Sequence, residues 1–183
     1  KNNDPNFIDP MKNPEVEKYS YCVSYKDDYI VVDDHRFRAD VLVTDSLFLQ
    51  LMDYPVVSGI KTIQRPDDAI ITRKYARHLF GDEDPLGKQF VSSAGYTLTI
   101  RGIMDEPDTK ASLQFDLITS VNQGEAVDWS RVGFCVARLV KGTNVEKLNE
   151  KISKPQSLIC FSHVPIQFKL APLKIGRASC RER

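Results

Sequence analysis

Apolar and polar residues alternate over residues 16–25, 29–32 and 36–43, which is the two-residue period of half-buried strands. Lys26-Asp27-Asp28 and Asp33-Asp34-His35 interrupt that period with turn-forming side chains, so the pattern predicts a three-stranded meander. The spacing then lengthens. Leu47, Phe48, Leu51 and Met52 recur as on one helical face, and Thr44 is placed to cap a helix predicted over 44–53. An irregular stretch containing Pro55, Gly59 and Pro66 leads to a short strand over 69–71.

Residues 70–90, IITRKYARHLFGDEDPLGKQF, carry the most specific local signals. The Thr72 hydroxyl can accept from the free amides of a first helical turn, and Tyr75 with Leu79, like Ala76 with Phe80, shares a helical face. Gly81 supplies a helix stop, and Asp84-Pro85-Leu86-Gly87 a second turn before a strand over 89–91. A hairpin turn at 92–95, with Gly95 tolerating positive φ, joins it to a strand over 96–104. Further on come an apolar run over 113–120, an irregular stretch around Trp129, a strand over 134–140, and a helix over 144–152 ended by Pro155. A linker and a last strand complete the pattern. Strands and helices mix without a βαβ period, which predicts an α+β fold with a mixed, mostly antiparallel sheet and a few short helices.

The segment from Thr72 to Gly87 resembles the MacB/FtsX-like permeases of ABC transporters, whose extracytoplasmic core domain carries "tekyAkklFG" followed by "d.nPiGk". Other segments resemble that family in the same order. They are Asn13-Pro14-Glu15-Val16-Glu17, then Val43 to Phe48 with Leu51 to Gly59, then Tyr96 to Met104 with Asp105 and Pro107, and finally Trp129, Phe134 to Val140 and Gly142. The resemblance implies an extracytoplasmic domain that transmits ATP-driven conformational change at the cell membrane, with no cofactor and no catalytic or metal-binding residue of its own. It also implies partners: a cytoplasmic ATPase subunit, a second permease copy, and a periplasmic adaptor or cargo. By the same analogy residues 1–108 with 164–174 form one lobe and 109–163 a second. A free-standing extracytoplasmic binding or sensor module of similar fold is the alternative reading.

No run approaches the roughly 20 apolar residues that cross a bilayer, whereas the family's permeases place this domain after a first transmembrane helix. The sequence is therefore expected to be an excised part of a larger permease, covering residues 1–174. Residues 175–183, IGRASCRER, break the pattern and are expected to be a non-native tail. The formal net charge is zero with signs interspersed, which offers no electrostatic footprint for nucleic acid.

Reactive groups are sparse. Asp33, Asp34 and His35 set two carboxylates beside an imidazole, the raw material of a hydrolase, although turn preference alone accounts for the same three residues. Residues 81–88 superficially resemble a phosphate loop, but five residues separate the glycines and Gln89 follows the lysine. Cys22 and Cys135 lie in apolar strand patterns as small hydrophobes, and with Cys160 they leave the disulfide state open. His78 falls on the polar side of its helix, and His163 in a loop. Lys61, Arg65, Arg73, Lys74 and Arg77 are dispersed as solubilising charges.

Overall fold

The computed structural model describes residues 12–120, 133–153 and 169–173. Along them run β1 Val16–Val32, β2 His35–Thr44, α1 Phe48–Met52, β3 Val56–Gly59, β4 Asp68–Thr72, α2 Arg73–Phe80, β5 Gln89–Ser92, β6 Thr97–Met104, β7 Leu117–Ser120, β8 Gly133–Leu139 and α3 Val145–Ile152. All eight strands join one sheet. β2–β7 and β4–β6 are its parallel pairs and the other ladders are antiparallel, as the α+β reading requires.

The ladders close on themselves. β1 pairs with β2, β2 with β7, β7 with β4, β4 with β6, β6 with β5, and β5 returns to β1 through Ile30↔Ser92 and Val31↔Val91. Each of these six strands contributes to one core, including Ile30, Ala39, Ala69, Phe90, Ile100 and Leu117, which α2 closes with Tyr75 and Ala76. Side chains on the alternate face, Cys22, Leu42, Ile70, Met104 and Ile118, pack with α1 and Val136 into a second core. The sheet is thus buried on both sides. α3 forms a smaller cluster, setting Leu148 and Ile152 against Val16, Tyr19, Tyr21 and β8.

The predicted meander is a single long hairpin instead. Lys26 and Asp27 are not a turn but a β-bulge inside β1, where the register steps from Tyr25↔Val41 to Asp28↔Ala39. Asp27 takes φ 57 there, a left-handed conformation that aspartate tolerates better than most residues. The true turn is Asp33-Asp34, both at positive φ, the geometry of a two-residue hairpin loop.

Thr44 does not cap a helix. It ends β2 fully buried, and α1 begins four residues later with no side-chain cap on Leu47. The second helix follows its sequence signals. Thr72 accepts from Tyr75 N–H at 3.3 Å, and Gly81 ends α2 at φ 61. The turn at 92–95 forms with Gly95 at φ 88, and Asn144 caps α3.

The segment read as irregular before Pro66 contains β3, paired with β6, and the apolar run over 113–120 yields strand only at β7. Residues 169–173 have no regular structure, although Leu170 N–H donates to Asn149 Oδ1 at 2.7 Å. Trp129, Pro155, Cys160, His163 and the expected tail lie outside the described residues. So does much of the 109–163 segment, whose described strands β7 and β8 join the common sheet.

Candidate functional site

Asp33, Asp34 and His35 are brought together only as an exposed hairpin tip, with His35 Nδ1 2.7 Å from the Asp33 carbonyl oxygen. Among the described residues, no group of three or more His, Cys, Asp or Glu side chains could hold a metal ion. At the loop after Gly81, Lys88 pairs with Glu83 and lies over the Phe80 ring, 4.6 Å from its centroid. The lysine of the phosphate-loop look-alike is therefore held against its own loop and the end of α2. Arg73 is paired with Asp105 at 2.8 Å, and His78 is exposed, edge-on to Phe37.

No disulfide joins Cys22 and Cys135. They sit on adjacent strands one register apart, since Tyr21 faces Cys135 and Cys22 faces Phe134, so their side chains leave opposite faces of the sheet. No bond can form between them without breaking the ladder. Burial pushes the Cys22 thiol up to about 11, which keeps it protonated and poorly nucleophilic.

Polar groups converge at two mechanical junctions. At the first, Ser20, Thr44 and Asp45 tie β1 to β2 and to the start of α1. Ser20 Oγ donates to Asp45 Oδ1 at 2.8 Å and lies 3.0 Å from Thr44 Oγ1. Thr44 Oγ1 is 3.1 Å from the Tyr21 carbonyl and 3.3 Å from Cys22 Sγ, and Asp45 Oδ1 also accepts from Leu47 N–H at 2.8 Å. Arg138 on β8 then reaches the end of α1, donating to the Gln50 and Leu51 carbonyls at 3.3 Å each.

The second junction is the bulge. Asp40 accepts from Asp27 N–H at 3.0 Å and from Lys26 Nζ at 2.7 Å. Its backbone N–H donates to Asp116 Oδ2, and its carbonyl accepts from Asp116 N–H, both at 2.8 Å. Asp116 O accepts from Thr72 N–H at 2.8 Å, and Tyr75 Oη donates to the Arg38 carbonyl at 2.7 Å. Burial raises the Tyr75 phenol above its ordinary range, and the Asp116 carboxylate adds to the shift. β1, β2, β4, β7 and α2 thus meet at one hydrogen-bonded knot.

Sequence reasoning did not single out these carboxylates. A visible signal was an aspartate set inside apolar strand residues, as in Ala39-Asp40-Val41 and Phe115-Asp116-Leu117, where an unpaired charge would be costly. Both junctions fasten strands together, and the groups in them already bond to one another. Their chemistry is that of fixing shape.

The sequence matches the MacB-like periplasmic core domain over residues 3–154. The chain belongs to that family. MacB-like periplasmic core domains are extracytoplasmic parts of ABC-type permeases. Three solved structures share the fold. A domain assigned to a permease of Porphyromonas gingivalis is 20% identical, with 77% of this chain and 69% of that one covered at a TM-score of 0.65. The periplasmic region of MacB from Actinobacillus actinomycetemcomitans is 14% identical over 76% and 67% of the two chains, at 0.61. The extracellular domain of the noncanonic ABC-type transporter YknZ from Gram-positive bacteria is also 14% identical, over 78% and 76%, at 0.61. No curated protein matches the sequence. Among the described residues no helix of this MacB-like domain is long and apolar enough to cross a membrane.

Proposed function

We propose that this MacB-like domain is a mechanical transmitter: it carries ATP-driven movement of permease transmembrane helices outward as a rigid body, to export or release a substrate or to regulate a periplasmic partner. The observation that carries this reading is the closed ladder ring threaded by β1. A strand of 17 residues extends about 55 Å at roughly 3.3 Å per residue. It is bonded to β8 along its first half, to β2 across and beyond the bulge, and to β5 near its end. A displacement applied at one end is shared by three neighbours, and packed cores resist being deformed continuously. The ATP chemistry belongs to a separate cytoplasmic subunit, and movement is coupled across a second permease copy and an adaptor or cargo.

The test uses the full-length permease with its ATPase, carrying spin labels at Lys18→Cys and Arg77→Cys, both exposed positions. The distance between the two labels within one domain is expected to stay constant between nucleotide-free and ATP-trapped states. The distance between Lys18→Cys labels on two copies is expected to change. A change within the domain with none between copies would replace transmission by internal rearrangement.

A further inference from the structure

α3 joins two stretches of chain that are remote from each other in sequence. Residues 13–16 enter β1 as a bonded turn, in which Val16 N–H donates to the Asn13 carbonyl at 2.8 Å and Glu15 N–H to Asn13 Oδ1 at 3.3 Å. Residues 169–173 have no regular structure, and Leu170 packs into the small cluster beneath the helix.

The first stretch is held at both ends of α3. Val140 N–H, in the turn that leads into the helix, donates to the Glu15 carbonyl at 3.0 Å, and Lys151 in the last helical turn pairs with the Glu15 carboxylate. The second stretch is held by Asn149, whose Oδ1 accepts from Leu170 N–H at 2.7 Å. Asn149 and Lys151 are two residues apart, about 200° around a helix of 3.6 residues per turn, so they leave opposite flanks of α3. Between those flanks run Leu148 and Ile152, both buried, in one cluster with Val16 and Leu170. Each stretch therefore supplies an apolar side chain to a shared stripe and a polar group to its own flank of the helix.

We propose that α3 is a yoke: it couples residues 13–16 to residues 169–173, so that a displacement of either stretch is passed to the other through the helix. The inference rests on the mechanical reading above and adds the element through which movement is shared within the domain. A helix gripped on both flanks and seated by a buried stripe shifts as one piece, because packed side chains give discrete arrangements and not a continuous range. The coupling runs both ways, as coupling between two sites must.

Residue-resolved hydrogen exchange on the 183-residue chain tests this, with the Val140 amide reporting on the first stretch and the Leu170 amide on the second. Glu15→Lys leaves α3 unaltered and sets a second ammonium group against Lys151. It is expected to speed the Leu170 amide by about threefold, the scale of one exposed ion pair, although that amide bonds to Asn149. Asn149→Ala, on the other flank, is expected to speed the Val140 amide by a similar factor. Glu15→Lys combined with Lys151→Glu should return the Leu170 amide to its parental rate. The ladder amides of Ile70 and Ile118 should keep their rates in every variant. A Leu170 amide unmoved by Glu15→Lys, a Val140 amide unmoved by Asn149→Ala, or a paired reversal that restores nothing would overturn the proposal. So would Ile70 and Ile118 amides that speed up by the same factor, since the loss would then belong to the whole fold. None of these rates depends on the label distances between two permease copies, so failure of the yoke and failure of transmission are told apart.

Discussion

Asp27 and Asp40 face each other across the β1–β2 hairpin, the Asp27 amide donating to Asp40 Oδ1 at 3.0 Å, and this contact sets which face each half of β1 presents. Tyr25 before the bulge and Ile30 and Val32 after it pack against the same core, although odd and even positions of an unbroken strand point opposite ways. Two bulge residues opposite the single Asp40 shift the alternation by one, so that both halves stay in phase with Phe37, Ala39 and Val41 on β2. Deleting Asp27 is therefore expected to abolish cooperative unfolding, since either Tyr25 or the pair Ile30 and Val32 must turn outward. Asp40→Ala keeps the residue count and should cost about 1 to 2 kcal/mol, the scale of stranding a bonded amide and a charged partner. Urea titrations followed by circular dichroism distinguish the two outcomes. A deletion variant that melts like the parent would show that the register is not held here.

The seam between β3 and β6 depends on two glycines. A Cβ on Gly59 would lie 2.0 Å from the Arg101 carbonyl oxygen, and the residue sits at φ 78. A Cβ on Gly102 would meet the Ile60 carbonyl oxygen at 2.7 Å and Ile70 Cγ1 at 3.1 Å. Gly59→Ala collides with rigid backbone in a left-handed conformation and should cost more than Gly102→Ala, itself expected at about 1 to 3 kcal/mol. The order of the two midpoints in denaturant is the measurement.

Two threonines separate what sequence reading sees from what it misses. Thr72 caps α2 as its position implies, because a cap is settled by residues within one turn of it. Thr44 looks equivalent and is not, because its hydroxyl answers to Ser20 and Cys22, 24 and 22 residues away. Distance along the chain hides the rest in the same way. Asp40 and Asp116 meet across 76 positions, and β3 is too short and too closely bracketed by Pro55 and Gly59 to announce itself without β6 beside it. The exposed Asp33-Asp34-His35 tip was legible because turn geometry is local. Thr72→Ala should therefore cost about 1 kcal/mol. Thr44→Ala should cost more, up to about 3 kcal/mol, because it strands buried polar partners. Equal losses in thermal or urea denaturation would mean that the Ser20–Thr44–Asp45 junction adds little to the hold between β1 and β2.

Alkaline pH should loosen the domain in a definite order. Burial lifts the Cys22 thiol from 9.0 to about 11, and the Tyr54 phenol from 10.0 to about 12. Each raised value means that the folded state keeps a proton which the unfolded chain releases. The associated stability is whole below the unfolded value and is lost as pH climbs toward the folded one. For Cys22 the window runs from pH 9.0 to about 11, and at about 1.4 kcal/mol per unit the loss across it is about 2 to 3 kcal/mol. Cys22→Ala removes this contribution and leaves the tyrosines, so the fall in stability should begin near pH 10 instead of near pH 9. Denaturation midpoints taken every half unit from pH 8 to 11 would reveal the displacement. Coincident curves for the two proteins would place the Cys22 thiol in contact with solvent, contrary to its position between Ser20 and Thr44.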